Sequence, residues 1–337
     1  MQRRTFNKTL FFFGALAPLR RFAPKQETVI GHGDFRYRVD AAWCRANAQT
    51  HPVKDCHEMA MDKSGRIFMT TNDTRNNILI FNKDGEVTGA WGTEYPGAHG
   101  LTLHDENGTE FLYITDYERH EVIKTTLEGR VVQIFSPPPE IGIYHNKTDF
   151  KPTETAIAPN GTVYVADGYG LDYILVYGPD GKIKRFFGGL GDEPAALRNA
   201  HGVAFDLRRK NRPEVLVSSR VHNTLKRYTP EGAYLGAVPL PGAFICRPVV
   251  HRKEVYFAVL ISKLPWDSRS GFLCVLDRHN RPVSAPGGTL PDQGEKMYQT
   301  VQVFQHPHDV LADADDNLFV AQWNAGGTYP IRLTRVP

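Results

Sequence analysis

From about residue 55 onward, apolar and polar positions alternate with a period of two, in short runs that end at glycine, proline or acidic residues. That period belongs to β-strands with a buried face. One phrase recurs: a strand, a turn, a second strand closing on small or acidic residues, then a third strand. The second strands are read at 66–70, 111–116, 162–167, 214–219, 255–259 and 318–321. The third strands follow at 78–81, 122–124, 174–177, 225–228, 273–276 and 331–333. Most third strands run into an acidic turn with glycine: Lys83-Asp84-Gly85, Leu127-Glu128-Gly129, Pro179-Asp180-Gly181 and Pro230-Glu231-Gly232. Such turns supply the positive φ of a tight hairpin. No helical period is present.

Six units of this kind, spaced by about 42 to 62 residues, predict an all-β fold, a six-bladed β-propeller forming one domain over 26–337. The units resemble NHL repeats. The last unit ends without an obvious fourth strand, and an unassigned strand, 35–39, precedes the first unit. The ring is therefore expected to close by pairing this N-terminal strand with the last blade.

The composition, 41% hydrophobic and 23% charged, is that of a globular protein and excludes a disordered or coiled-coil chain. The formal charge of +3 is carried by the first 25 residues, which hold Arg3, Arg4, Lys8, Arg20, Arg21 and Lys25 and no acid; the remainder carries −3. Arg3-Arg4-Thr5-Phe6-Asn7-Lys8, followed by the short apolar run 10–17, resembles a twin-arginine export signal over 1–25. A run that short does not span a bilayer. The expected mature protein is periplasmic or secreted, monomeric, free of membrane contact after export, and too acidic to bind nucleic acid by charge. Cys44, Cys56, Cys246 and Cys274 lack the C-x-x-C spacing of a zinc knuckle. Cys44 and Cys56 are the closest pair along the chain and the first candidates for a disulfide, though spacing does not fix the pairing.

The innermost strands are expected at 57–62, 99–104, 153–158, 201–206, 246–251 and 308–313. Their first residues, His57, His99, Thr153, His201, Cys246 and His308, should ring the mouth of the channel. Alternate blades of a six-fold ring stand about 120° apart, so His99, His201 and His308 can address one point on the axis. Three neutral imidazoles with open positions make a catalytic zinc site; copper, iron and nickel also accept histidine, and Cys246 would soften the set if it reached the ion. His57, one blade from His99, falls outside that three-fold set and is expected to support a ligand or meet substrate.

The stretch from Lys151-Pro152-Thr153-Glu154 through Gly161-Thr162-Val163-Tyr164-Val165-Ala166-Asp167-Gly168-Tyr169 to Gly178-Pro179-Asp180-Gly181-Lys182 resembles the peptidyl-α-hydroxyglycine α-amidating lyases. His99-Gly100-Leu101, Ala200-His201-Gly202-Val203-Ala204 and Pro307-His308-Asp309-Val310 extend the resemblance over most of 35–335. It implies zinc on His99, His201 and His308, a catalytic tyrosine at Tyr169, an active-site arginine at Arg220, and a structural calcium bound with help from Asp309. Glu58, Glu154, Arg247 and His306 are the neighbours expected, with His57, to back the ligands or touch substrate.

Three departures accompany it. A second active-site arginine of the family falls at about Thr70, so Arg75, Arg36 or Arg247 would have to replace it. The family's two disulfides have no counterpart, and its methionine two residues before the last ligand falls on His306. A carbinolamide, HO–CH–NH–C(=O), collapses to an aldehyde and an amide once its hydroxyl loses a proton, which suits zinc with Tyr169 as base and Arg220 favouring its phenolate. The expected function is thus a zinc-dependent lyase on a small-molecule or peptide-like substrate. Two alternatives stay open: a zinc hydrolase or lactonase, and a non-enzymatic NHL propeller that binds protein or carbohydrate.

Overall fold

A computed structural model describes residues 27–292, 295–323 and 327–337. The expected export signal, 1–25, lies outside them. Among the described residues the strands form six antiparallel sheets, and each sheet is one blade. The alternation predicts them well. The second strands run Ile67–Thr71, Thr109–Asp116, Val163–Ala166, Glu214–Ser219, Glu254–Val259 and Leu318–Gln322. The inner strands are Cys56–Met61, Ala98–Glu106, Glu154–Ile157, Ala200–Asp206, Val249–His251 and Pro307–Ala312. In the four acidic turns Gly85, Gly129, Gly181 and Gly232 all have φ between +78° and +93°.

Ring closure follows the prediction and exceeds it. Phe35–Asp40 pairs antiparallel with the last strand, Ile331–Val336, in the register Tyr37↔Arg335 and Val39↔Leu333. Val29–His32 then adds a fifth strand outside it. Leu333 and Tyr37 are fully buried, so the last blade completes its core with residues from the other end of the chain.

A propeller sheet is apolar on both faces, and each face needs a neighbour. Six apolar clusters meet that need, each drawn mainly from two adjacent blades. Where blade 6 meets blade 1, Phe319 packs on Trp43 with ring centroids 4.9 Å apart. Among the described residues no helix is long and apolar enough to cross a membrane.

Blade 5 differs from its expected form. Its inner strand is interrupted: Ile245 pairs with Val259 and the Cys246 N–H donates to the Ala258 carbonyl at 2.8 Å, but Pro248 has no N–H to donate, and the regular ladder resumes only at Val249. Cys246 and Arg247 are thereby turned into the channel.

Candidate metal centre

In five blades the ladder between inner and second strands gains one extra residue at its channel end. The slips fall between Cys56 and Met59, Ala98 and Leu101, Ala200 and Gly202, Ile245 and Val249, and Pro307 and Asp309. Four of the bulges contain a histidine, His57, His99, His201 or His308, and the one in blade 5 contains Cys246. Blade 3 keeps an even register. A bulge re-aims the side chain it carries, and here all four rings turn into the channel and are buried. Glycine follows two of them for steric reasons. A Cβ on Gly202 would lie 2.4 Å from Arg247 Cα, and one on Gly100 would lie 2.7 Å from the Thr153 carbonyl oxygen.

The rings of His99, His201 and His308 form an equilateral triangle, with all three centroid distances at 4.8 Å. His57 lies inside the cluster, 4.6 Å from His99 and 4.8 Å from His308, closer than its place one blade off the three-fold set suggests. Two groups hold ligand atoms within 4.8 Å of one another and could bind a metal: His57, His99 and His308, and His201, Cys246 and His308. Two tautomers are fixed by backbone carbonyls, which only accept. His99 Nδ1 donates to the Thr153 carbonyl at 2.7 Å, and His308 Nδ1 donates to the His57 carbonyl at 3.0 Å. Their Nε2 atoms therefore present lone pairs, as a metal ligand must. His308 Nε2, His201 Nδ1 and both nitrogens of His57 are buried without a hydrogen-bond partner. Burial holds all four imidazoles neutral, taking His57 down to about 3 and the others well below their ordinary value. Neutral, buried, partly unpartnered imidazoles fit a transition-metal ion.

Tyr169 reaches the cluster from the loop after Val163–Ala166. Its hydroxyl lies 3.1 Å from His99 Nε2 and 3.2 Å from His201 Nε2, while the residue as a whole remains 36% exposed. Burial of the hydroxyl raises the phenol above its ordinary value, and the Arg220 guanidinium pulls the other way. Arg220 is buried, with Nη2 3.0 Å from Cys246 Sγ and Nε 3.3 Å from the Ile245 carbonyl. The four cysteines are free thiols. The candidate Cys44–Cys56 disulfide is not formed: Cys56 is buried and its Sγ faces the Thr328 carbonyl at 3.6 Å.

One layer below, Glu58, Glu154 and Asp309 surround Arg247. Burial beside the other acids drives the Glu58 carboxyl well above its usual range. His306 accepts from the Arg269 N–H at 3.2 Å and packs edge-on against Trp323. None of the three arginines expected to replace the family's second one stands at the mouth. Arg75 is exposed and paired with Asp73, Arg36 binds the Pro337 carbonyl, and Arg247 is held below by Asp309. Thr70 itself is buried and donates to the His99 carbonyl at 3.0 Å, so it braces the ligand strand.

Above the histidines a cavity of about 470 Å³ is lined by Tyr169, Asn199, Arg220, Val221, Leu260, Trp266, His308 and Trp323. Sequence reasoning missed Asn199, Leu260 and both tryptophans, and also Tyr117, whose ring stands 5.6 Å from that of Tyr169. A signal was present. Tyr117, Arg220, Leu260 and Trp323 are each the first residue beyond a second strand, so one repeat position supplies three of the eight lining residues and the tyrosine beside Tyr169.

No protein-family model matches the chain. It is 28% identical over 297 residues to a Caenorhabditis elegans protein named as a probable peptidyl-α-hydroxyglycine α-amidating lyase, covering 83% of this chain and 80% of that one. It is 24% identical over 371 residues to Drosophila melanogaster peptidyl-α-hydroxyglycine α-amidating lyase 1, covering 91% and 62%. With Mus musculus NHL repeat-containing protein 3 it shares 26% over 211 residues, covering 60% and 59%. The chain thus spans less than two thirds of the last two proteins. Among solved structures, a Xanthomonas campestris gluconolactonase superposes with a TM-score of 0.61 at 14% identity, covering 93% of this chain and 96% of that one. A streptogramin B lyase gives 0.57 at 13%, covering 85% and 95%. These two likenesses show a shared fold. The chain resembles the amidating lyases and NHL-repeat proteins, and it is a six-bladed propeller.

Proposed function

We propose that this chain is an exported lyase that cleaves the carbon–nitrogen bond of a carbinolamide, with zinc held by His99, His201 and His308. One observation carries the reading: the Tyr169 hydroxyl stands between the Nε2 atoms of His99 and His201, at 3.1 and 3.2 Å. A proton acceptor and two ligands thus share one point. Zinc, when bound, supplies Lewis-acid stabilisation of negative charge developing on a substrate oxygen. Tyr169 takes the proton from the substrate hydroxyl; the C–N bond breaks as the C=O bond forms; and the phenol returns the proton to the departing nitrogen. The products are an aldehyde and a primary amide, with no other reactant consumed. Arg220, fixed by Cys246 and the Ile245 carbonyl, favours the ionised phenol and orients substrate oxygen. His57, with two unpartnered nitrogens between His99 and His308, is suited to hydrogen-bond that oxygen.

The identity with two amidating lyases supports this chemistry, and the changed mouth supports a changed substrate. Trp266, Trp323, Leu260 and Val221 give the cavity apolar walls, and Arg220 is the guanidinium lining it. The group beyond the scissile bond is therefore apolar, and a carboxylate clamp of two arginines is not part of the design. Incubating the zinc-loaded protein with an N-aroyl-α-hydroxyglycine should release glyoxylate and the primary amide. Turnover of lactones with none of the carbinolamide would replace this reading by a hydrolase.

A further inference from the structure

Arg247 closes the channel below the histidine layer. From blade 5 its Nε and Nη2 reach the two oxygens of Asp309 in blade 6, at 3.0 and 2.7 Å. Nη2 also donates to the Met59 carbonyl of blade 1, and Nη1 to the Leu101 carbonyl of blade 2, both at 3.0 Å. Glu58 of blade 1 lies 3.2 Å from Nη1, and Glu154 of blade 3 lies 3.6 Å from Nε. The backbone is arranged for this reach, since Pro248 frees Arg247 from the ladder and Gly202 leaves room for its Cα at a distance no Cβ would allow.

A calcium ion needs six to eight oxygens at about 2.3–2.6 Å, supplied by carboxylates and carbonyls. The oxygens around Arg247 are of that kind, but the guanidinium lies among them with its N–H groups on the Asp309 carboxylate and both carbonyls. The calcium that the family resemblance attaches to Asp309 does not fit here unless Arg247 is expelled. We propose that Arg247 is a built-in replacement for a structural cation, joining five blades across the axis, and that the protein neither binds nor needs calcium at Asp309. An arginine suits the task because its charge is permanent and its planar donors fan out to several oxygens at once.

The test uses the full chain in zinc-replete buffer, so its outcome is independent of the proposed zinc site. Elemental analysis after dialysis into calcium-free buffer should find far less than one calcium per chain, and millimolar calcium chloride should leave Tm unchanged. Stoichiometric calcium, or a Tm that rises with calcium, overturns the proposal. Arg247→Met should lower Tm by roughly 5 °C or more, because it leaves buried carboxylates without their cation, and calcium should then restore part of the loss. A variant that melts with the native protein, or a destabilised one indifferent to calcium, also overturns it.

Discussion

The phenolic oxygen of Tyr169 lies 3.1 Å from Nε2 of His99, whose Nδ1 is tied to the Thr153 carbonyl at 2.7 Å. Tyr169 and Thr153 both belong to blade 3, which places no histidine on the axis. That blade fixes the tautomer of a ligand donated by blade 2 and delivers a hydroxyl to its free nitrogen.

Tyr169→Phe removes the hydroxyl and nothing else from this arrangement. Metal content should stay at the native level while turnover falls by about 10²-fold or more, the usual contribution of a positioned acid–base group. Parallel metal analysis and single-turnover assays check it. Native-like turnover in the variant excludes Tyr169 as the base.

Arg220 is held at two points, Cys246 Sγ and the Ile245 carbonyl, 3.0 and 3.3 Å from two of its nitrogens. Lysine is a single point charge and cannot span both. Arg220→Lys should keep fold and metal yet lose about tenfold or more in kcat/KM, the scale of one charged hydrogen bond. A variant with native kcat/KM shows that the guanidinium geometry is not used.

Tyr37 is fully buried in the strand that closes the ring, and its hydroxyl accepts from Arg335 Nη1 at 3.1 Å. Tyr37→Ala should cost about 3–5 kcal/mol, as large-to-small changes at buried aromatics do. Chemical denaturation measures it. A loss under about 1 kcal/mol would place this strand outside the cooperative fold.

Asp167 braces the Tyr169 loop by accepting from the N–H groups of Lys151 and Leu171 and from the Tyr144 hydroxyl, at 2.6, 2.8 and 2.9 Å. Burial outweighs these donors and lifts its carboxyl from 3.8 to about 7. A folded-state pKa above the unfolded value means that the native protein holds this proton more tightly. The group's stabilisation is therefore complete at acid pH and declines as pH climbs toward 7. Carbon-detected NMR titration should give a midpoint near 7, and Tyr144→Phe, which removes a donor to the carboxylate, should raise it. A midpoint at the ordinary carboxylate value contradicts the burial argument.

The blades were legible because alternation and turn chemistry repeat locally, and the pairing of 35–39 with the last blade followed from counting strands. The bulges were not. A two-residue period cannot reveal which position is the extra one, yet the bulge at Cys56–Met59 brings His57 against His99 and His308. Arg247 was one of three candidates for the mouth because residue type says nothing about direction. Pro248 sends it inward, to acids from three other blades. Trp266 lay hidden for another reason: it comes from the loop after Glu254–Val259, where no repeat marks its position.

Metal content of untagged protein, native and substituted, bears most directly on the central claim. The native chain should carry about one zinc, as a three-histidine catalytic site does. His99→Ala, His201→Ala and His308→Ala should each lose it together with activity while the blades keep their melting behaviour, and His57→Ala should keep it. Zinc retained by all three, or lost on His57→Ala and kept on His201→Ala, would contradict the assignment.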